Sequence, residues 1–273
     1  MNGKRVTGAP VHALKLSQTL LASLDRLRQE RIVDADRLHR LRVGIRRLQA
    51  WFRLIGAHKK AAALAADIEQ LSPLRAAQVF DAWLAHRRAP AADRRKVRGL
   101  IRQRMAQLDK PSLFGSLHQT LASLSCEEQR IGHLQLVRCL RAHREKLTRI
   151  GRTLPRKPKR KALHRLRLRV KQLRYQLEWT SPAGAELIVP RLKRLQRRLG
   201  AYEDLAAFHK LGEELSLSSQ PTIVKAWRKA RKKARRVHDD VNDLIDALGP
   251  LLRAANGPRR HSLREVNAEL TAD

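Results

Sequence analysis

Acidic residues are scarce in this sequence, and aromatic residues and cysteine are scarcer still. The 273 residues include 25 Asp and Glu against 59 Lys and Arg, which gives a formal net charge of +34. A chain with this excess repels itself when compact, so a standing polyanionic partner is the most economical explanation. Phe, Trp and Tyr make up only 4% of the residues, which argues against the base-stacking surfaces of single-stranded nucleic-acid binders.

Cysteine occurs only at positions 126 and 139, without the paired spacing of a zinc site or a disulfide framework. We predict that Cys126 and Cys139 are buried free thiols, which suits a reducing cytoplasm. No stretch approaches the roughly 18 consecutive apolar residues that a membrane span requires, and residues 1–11 lack the pattern of a signal peptide. The sequence therefore predicts a soluble, cytoplasmic protein with no membrane partner.

The periodicity of apolar residues is helical along the whole chain, and no convincing alternation of period two indicates a strand. We predict an all-α fold with helices at 11–31, 34–55, 60–71, 73–86, 93–108, 112–150, 162–180, 186–199, 203–215 and 222–252. Gly151–Lys161 contains one Gly, two Pro and a basic run, so we interpret it as a hinge between two halves. These halves are residues 1–153 and 154–252, and a basic tail follows at 253–273.

An internal repeat is the most informative feature of the chain. Residues 38–53 read LHRLRVGIRRLQAWFR, and residues 163–178 read LHRLRLRVKQLRYQLE. On a helix of 3.6 residues per turn, each copy has one apolar stripe that packs inward and one polar stripe rich in cations. The polar stripe comprises His39, Arg42, Arg46, Gln49 and Arg53 in the first copy, and His164, Arg167, Lys171 and Arg174 in the second.

Both polar stripes are rows of cations without alternating carboxylates. Like charges spaced i,i+4 destabilise a helix by a few tenths of a kcal/mol per pair, so two matched copies favour a neutralising anion over cations that are only solvated. Arginine presents a planar fork of donors that matches phosphate oxygens. From His39 to Arg53 the stripe extends roughly 20 Å, which suits an extended phosphate chain. If His39 and His164 contact phosphate, mild acidification should strengthen binding.

A second basic segment, LKRLQRRLGAYEDL, occupies residues 192–205. Its cations crowd one helix and are Lys193, Arg194, Arg197 and Arg198. We predict that Gly200 caps the C-terminus of this helix and that Glu203 or Asp204 begins the next one. The corresponding stretch of the first half contains Arg75 as its only cation. The cations of residues 225–236 and of the hinge at 156–161 could extend a basic surface or be simply solvated, and both alternatives stay open.

Together these segments resemble the CHAD family, the conserved-histidine α-helical domains. The resemblance rests on residues 38–54, 163–178 and 192–205, and it covers the chain from about 10 to 250. It implies two four-helix bundles, related by an internal pseudo-two-fold, with a basic channel or groove between them that binds inorganic polyphosphate. The phosphate-binding positions that it implies are His39, Arg42 and Arg46 in the first copy, and His164, Arg167, Lys171 and Arg174 in the second, with Lys193, Arg194 and Arg197 nearby.

Two details accompany this resemblance. Tyr175 lies beside the second stripe, where it could donate its hydroxyl to phosphate or simply pack. The first half of the family usually carries a turn of the form LG-x-x-RD, whereas residues 71–76 here read LSPLRA. The Gly and Asp of that turn are missing, so the resemblance does not imply its phosphate contacts in this chain.

The alternatives to a non-catalytic binding protein are an enzyme and a nucleic-acid-binding protein. Chemistry on polyphosphate generally requires clustered carboxylates that hold Mg²⁺, whereas the acidic residues here are scattered. No Walker motif, triphosphatase signature or nucleophile elbow occurs, and we predict no catalytic residue, cofactor or metal.

Nucleic acid is supported by charge alone, since phosphate contacts supply most nonspecific affinity. No helix-turn-helix, zinc-finger or RNA-recognition signature accompanies that charge, so we expect only weak nucleic-acid binding. An anionic membrane surface ranks last, because no free apolar face opposes the stripes. The length of the ligand, the oligomeric state and the purpose of binding, including targeting to polyphosphate granules, stay open at this point.

Overall fold

The structure is a computed structural model that describes residues 9–29, 34–108, 110–123, 133–155, 158–182 and 184–256. All regular secondary structure within these ranges is helical. The helices are α1 (Ala9–Gln29), α2 (Ala35–Leu54), α3 (His58–Gln70), α4 (Ser72–His86), α5 (Ala91–Ala106), α6 (Lys110–Ala122), α7 (His133–Thr153), α8 (Arg160–Thr180), α9 (Ala185–Glu214), α10 (Gln220–Ala234) and α11 (Val237–Asn256). The predicted all-α class is therefore confirmed.

Helices α1, α2, α3 and α6 form the first bundle, in which α2 packs between α1 and α3 while α6 contacts both of those helices. The apolar stripe of α2 places Leu41, Ile45 and Leu48 in the core, each at most 1% exposed. Asp34 caps the N-terminus of α2, because its carboxylate accepts a hydrogen bond from the backbone N–H of Arg37 at 2.8 Å.

Helices α7, α8 and α11 and the first part of α9 form a second bundle around Leu166, Val170 and Leu173 of α8. The pairings of the first bundle recur here: α8 packs on α9 as α2 packs on α3, and α7 packs on α11 as α1 packs on α6. A pseudo-two-fold relation between the bundles stays a prediction. The predicted division between residues 153 and 154 also stays a prediction, although α7, which precedes it, packs into the second core.

A third cluster joins the two halves through α4, α5, α10 and the last turns of α9. Phe80 of α4 stacks on Phe208 of α9 with ring centroids 4.8 Å apart. The buried carboxylate of Asp93, on α5, accepts hydrogen bonds from the backbone N–H groups of Ser218 and Ser219 at 3.0 and 2.8 Å. Burial opposes ionisation of Asp93, but these serine hydrogen bonds outweigh it and lower the pKa of the carboxyl group.

Several predicted helix boundaries are wrong. The predicted helix at 112–150 is interrupted, since α6 ends at Ala122 in the first bundle and α7 begins at His133 in the second. The predicted helix at 222–252 is two helices, because a turn at Arg235 and Arg236 lets α11 pack against α7. Both breaks occur where the chain passes to another bundle or changes direction. The periodicity of apolar residues does not signal such a change.

The opposite error occurs in α9, which is one helix where the sequence predicted two. Gly200 does not cap a helix, and it lies in the interior of α9 with helical backbone. Leu199 and Tyr202 beside it are both buried. Their packing outweighs the cost of about 1 kcal/mol that glycine has in a helix interior, so the helix continues.

The remaining predictions concern the thiols, the hinge and the tail. Cys139 is a free thiol, but it is only partly buried, and burial raises its pKa to about 11; Cys126 lies outside the described residues. Helix α7 extends to Thr153 and α8 begins at Arg160, so the predicted hinge is shorter than expected, and its residues 156 and 157 are not described. Of the predicted tail, residues 257–273 are not described.

Candidate functional site

The two helices that carry the internal repeat pack against each other. Trp179 of α8 donates a hydrogen bond from Nε1 to the carbonyl of Arg47 on α2 at 2.8 Å, and its ring centroid lies 5.4 Å from that of Trp51. Gln176 donates from Nε2 to the carbonyl of Ala50 at 3.2 Å. These partly and fully buried contacts hold the two cationic stripes side by side.

A cleft of about 380 Å³ lies between α2, α3 and α8, and both repeats line it. The polar residues that line it are Arg46, Gln49 and Arg53 from α2, Glu69 and Ser72 from the α3–α4 region, and His164, Lys171, Gln172 and Tyr175 from α8. Glu69 is the only carboxylate among the described residues that line the cleft. Part of each stripe therefore faces one shared cleft, namely Arg46, Gln49 and Arg53 from the first and His164 and Lys171 from the second.

Lys171 lies at the centre of a group of cations. Its side chain is buried, and desolvation together with the charges of Arg46 and Arg167 lowers its pKa to about 6. Arg42 lowers this pKa further, while Asp204 of α9 raises it and is the one opposing carboxylate. Lys171 therefore releases its proton far more readily than a lysine in water, which is the response of a buried amine to surrounding positive charge.

The arginines of α2 experience the same positive field. Burial lowers the pKa of Arg46, and the nearby charge of Arg167 adds to this effect. Burial also lowers the pKa of Arg42 to about 9, with further contributions from Arg46, Arg75 and Arg167. Burial is the larger cause for both guanidinium groups, and the contributions of the neighbouring arginines add a positive potential that an anion in the cleft would relieve.

Arg42 also has a structural role that the sequence did not predict. Its Nη1 donates to the carbonyl of Ile68 at 2.8 Å, and its Nη2 donates to the hydroxyl of Ser72 at 3.2 Å. Ile68 belongs to the last turn of α3, where carbonyl groups lack partners within the helix. Arg42 therefore bonds the α3–α4 junction, and only the remaining N–H groups of its fork could contact a ligand.

Arg75 belongs to the same cation cluster, although the sequence interpretation gave it no role. It lies in α4, where its Nη1 donates to the carbonyl of Ala35 at 3.0 Å, and its charge contributes to lowering the pKa values of His39 and Arg42. The segment LSPLRA lacks the Gly and the Asp of the LG-x-x-RD turn that is usual in CHAD domains, but it keeps the arginine of that turn. That retained arginine is the signal that could have identified Arg75.

The two histidines of the repeat have different surroundings. His164 is about half exposed, lines the cleft, and places its Nδ1 3.6 Å from Oε2 of Glu203 on α9. His39 is exposed and lies outside the residues that line the cleft, in the electrostatic range of Arg75 and Arg42. Partial desolvation, followed by the charge of Arg75, lowers the pKa of His39.

The remaining predicted residues lie along α8 and α9, away from this cleft. Arg174, Lys193 and Arg197 line a separate hollow of about 440 Å³. The guanidinium of Arg174 lies 4.3 Å from the ring centroid of Tyr175, while Arg194 lies within electrostatic range of Asp240 on α11. The structure thus brings together Arg46, Arg53, His164, Lys171 and Tyr175 in the cleft, with His39, Arg42 and Arg167 beside them.

Comparison with known proteins identifies the family. The family model described as CHAD domain matches residues 15–213, which is most of the chain. The chain belongs to the CHAD family. One similar solved structure is described as the crystal structure of the CHAD domain from the plant Ricinus communis, with a TM-score of 0.52, 19% identity, and coverage of 88% of this chain and 89% of that chain. No curated protein matches this chain.

CHAD domains are, as a family, associated with polyphosphate binding, and the all-α fold of the Ricinus communis domain agrees with the present one. In the part of the chain that the structure describes, no group of three or more His, Cys, Asp and Glu side chains is placed to hold a metal ion. None of the described helices combines the length and the apolar character needed to cross a bilayer.

Proposed function

We propose that this CHAD domain binds inorganic polyphosphate in the cleft between α2 and α8 and catalyses no reaction on it. The observation that supports the proposal most directly is the meeting of Arg46 and Lys171, one from each repeat, in one cleft. Burial and neighbouring cations depress the pKa values of both groups. An anion that enters the cleft would restore the interactions that these groups lose on desolvation.

The shape of the cation cluster favours a chain of phosphates over a single anion. Cations follow α2 from Arg42 through Arg46 to Arg53 and recur along α8 at Arg167 and Lys171. Each guanidinium can offer parallel donors to phosphate oxygens. A linear polyphosphate could therefore contact both helices along its length, whereas one phosphate would leave most of the cations without a counter-charge.

Nucleic acid is the second candidate, because any polyanion gains affinity from phosphate contacts at this net charge. The cleft itself favours polyphosphate. Tyr175 is the only Phe, Tyr or Trp among the described residues that line the cleft, and it is buried, so no platform is offered to a splayed base. We expect nucleic acid to bind the exposed cations of the surface more weakly than polyphosphate binds the cleft.

A paired substitution tests the proposal. Arg46→Ala with Lys171→Met removes one arginine and one lysine from the cleft, and Arg228→Ala with Lys232→Met removes the same two residue types from the exposed face of α10. We expect the cleft pair to weaken binding of long-chain polyphosphate by at least about tenfold and to lower the salt dependence by roughly 0.7 per lost contact. Equal losses for the two pairs would show that bulk charge, and not the cleft, binds the ligand.

Two further proposals follow from the same assignment. Incubation with polyphosphate and Mg²⁺ should release no orthophosphate, and steady release by the purified wild-type protein would contradict a purely binding function.

A polyphosphate-binding domain in the cytoplasm could target this chain to polyphosphate granules. Loss of granule association in the cleft pair, with retention in the α10 pair, is the expected result.

A further inference from the structure

A second, larger groove adjoins the cleft on the other side of α8. It has a volume of about 1220 Å³ and lies between the end of α2, α7 and α8. Arg53, Leu168 and Gln172 line both the cleft and this groove, so the two spaces share a wall. A ligand that follows Arg53 out of the cleft therefore enters the groove directly.

The groove is strongly cationic. The Lys and Arg residues that line it are Arg53, Arg138, Lys146, Arg149, Arg165 and Arg169. Among the described residues that line the groove there is no Asp or Glu. Desolvation lowers the pKa of Arg53, and the charge of Arg169 lowers it further. This surface therefore holds a positive potential of its own, next to that of the cleft.

A third hollow continues the path beyond α7. It has a volume of about 800 Å³, lies between α7 and α11, and shares Arg149 and Thr153 with the groove. Its other cations are Arg141, Arg144, Arg152 and Arg253, with Glu145 as the one carboxylate among the described lining residues. Cations thus continue from the cleft, past the groove, to the outer face of α7.

We infer that cleft, groove and hollow form one cationic track, along which a long polyphosphate chain leaves the cleft at Arg53 and crosses α7 at Arg149. The inference rests on the proposed function and extends it to the length of the ligand. Shared lining residues at Arg53 and at Arg149 give the track its continuity. A short oligophosphate would occupy the cleft alone, whereas a long chain would contact all three surfaces.

The track assigns a role to the cations of α7, which lie outside the repeat. Lys146 and Arg149 are both exposed at the groove, so their charge is available to a ligand at little desolvation cost. Contacts of this kind add to affinity through release of counterions, and each adds to the salt dependence of binding. Preference for long chains over short ones is the expected consequence.

The test compares tripolyphosphate with long-chain polyphosphate on two matched variants of the full chain. Lys146→Ala with Arg149→Ala removes two cations from the track, and the α10 pair, Arg228→Ala with Lys232→Met, removes two exposed cations from α10. For the track pair we expect affinity for the long chain to fall by on the order of tenfold and the salt slope to fall by roughly 1.4, while the affinity for tripolyphosphate stays within about twofold. The α10 pair should leave both ligands nearly unchanged.

Two outcomes separate failure of the track from failure of the proposed function. If Arg46→Ala with Lys171→Met abolishes binding of both probes but the track pair behaves like the α10 pair, the cleft stands and the track is wrong. If wild-type protein binds neither probe at physiological salt, the proposed function fails and the track fails with it. Unfolding temperatures near that of the wild type would establish that the exposed substitutions leave the fold intact.

Discussion

At the scale of single residues, the cations of the cleft lose hydration because they are buried. Lys171 lies within the electrostatic range of Arg46 and Arg167, with Asp204 as the one carboxylate that opposes them. An ammonium group in this position is poorly hydrated and repelled by its neighbours, so it releases its proton at a pH well below the ordinary range for lysine. A phosphate chain that binds beside this ammonium group stabilises its charged form.

Binding of polyphosphate should therefore take up protons. In the free protein the pKa of Lys171 is lowered to about 6, and a neighbouring polyanion raises it because it stabilises the ammonium form. Affinity should increase as the pH falls from 8 toward 6 and level off below the free pKa, by linkage. Titration calorimetry in buffers of different ionisation enthalpy measures the proton uptake directly.

Lys171→Met is the control for this linkage. The histidines of the repeats could add a similar pH dependence, since protonated His39 or His164 would also attract phosphate. The variant should lose the part of the proton uptake that belongs to the lysine while it keeps any histidine part. An identical pH dependence in the variant would exclude Lys171 as the group that is titrated.

The same substitution should stabilise the unliganded protein. The folded pKa of Lys171 is depressed below its unfolded value of 10.5, so the unfolded chain binds more protons and stability falls as the pH decreases from 10.5 toward 6. Replacing the amine with a thioether of similar length removes this cost, and we expect a gain of about 1 kcal/mol or more at pH 7. Urea unfolding without ligand measures it, and a loss of stability would contradict the assignment.

At the scale of helices, the α3–α4 junction depends on Arg42. Its hydrogen bonds to Ile68 and Ser72 connect α2 to the end of α3, so Arg42→Ala should lower the free energy of unfolding by about 1.5–3 kcal/mol. Arg46→Ala lies one turn further along α2 and serves as the matched control, with loss of binding but a smaller loss of stability. Equal stability for the two variants, by urea unfolding, would mean that the junction does not need Arg42.

The helical pattern of this chain was predictable because its apolar residues recur with the period of a helix. The two cationic stripes were predictable for the same reason, since the repeats at 38–53 and 163–178 match in residue class. The continuity of α9 through Gly200 and the break between α10 and α11 were not predictable. Both depend on which apolar faces meet in the bundles, and tertiary packing of this kind overrides local propensity.

Part of the candidate site could not be predicted from the sequence either. Asp204 joins the cluster because α9 packs against α8, and no spacing along the chain signals this proximity. Conversely, Arg174 and Lys193 share the basic pattern of the repeat region but line a separate hollow. Helical spacing assigns a residue to a face, whereas only the packing of helices determines what that face contacts.

At the scale of the whole molecule, a net charge of +34 ensures that almost any polyanion will bind to some extent at low salt. Specific recognition of polyphosphate requires more than charge. Cations from both repeats, concentrated in one cleft, must bind a linear phosphate chain better than a duplex of equal phosphate content. This difference in preference distinguishes a shaped phosphate site from a generally basic surface.

A competition experiment measures that preference. Labelled long-chain polyphosphate is bound to the wild-type chain at physiological salt and displaced by unlabelled polyphosphate or by duplex DNA at matched phosphate concentration. We predict that polyphosphate displaces the label at a concentration at least about tenfold lower than DNA does, because duplex DNA can reach mainly the exposed cations. Displacement by DNA at the same concentration would contradict a shaped site and would make the protein a general polyanion binder.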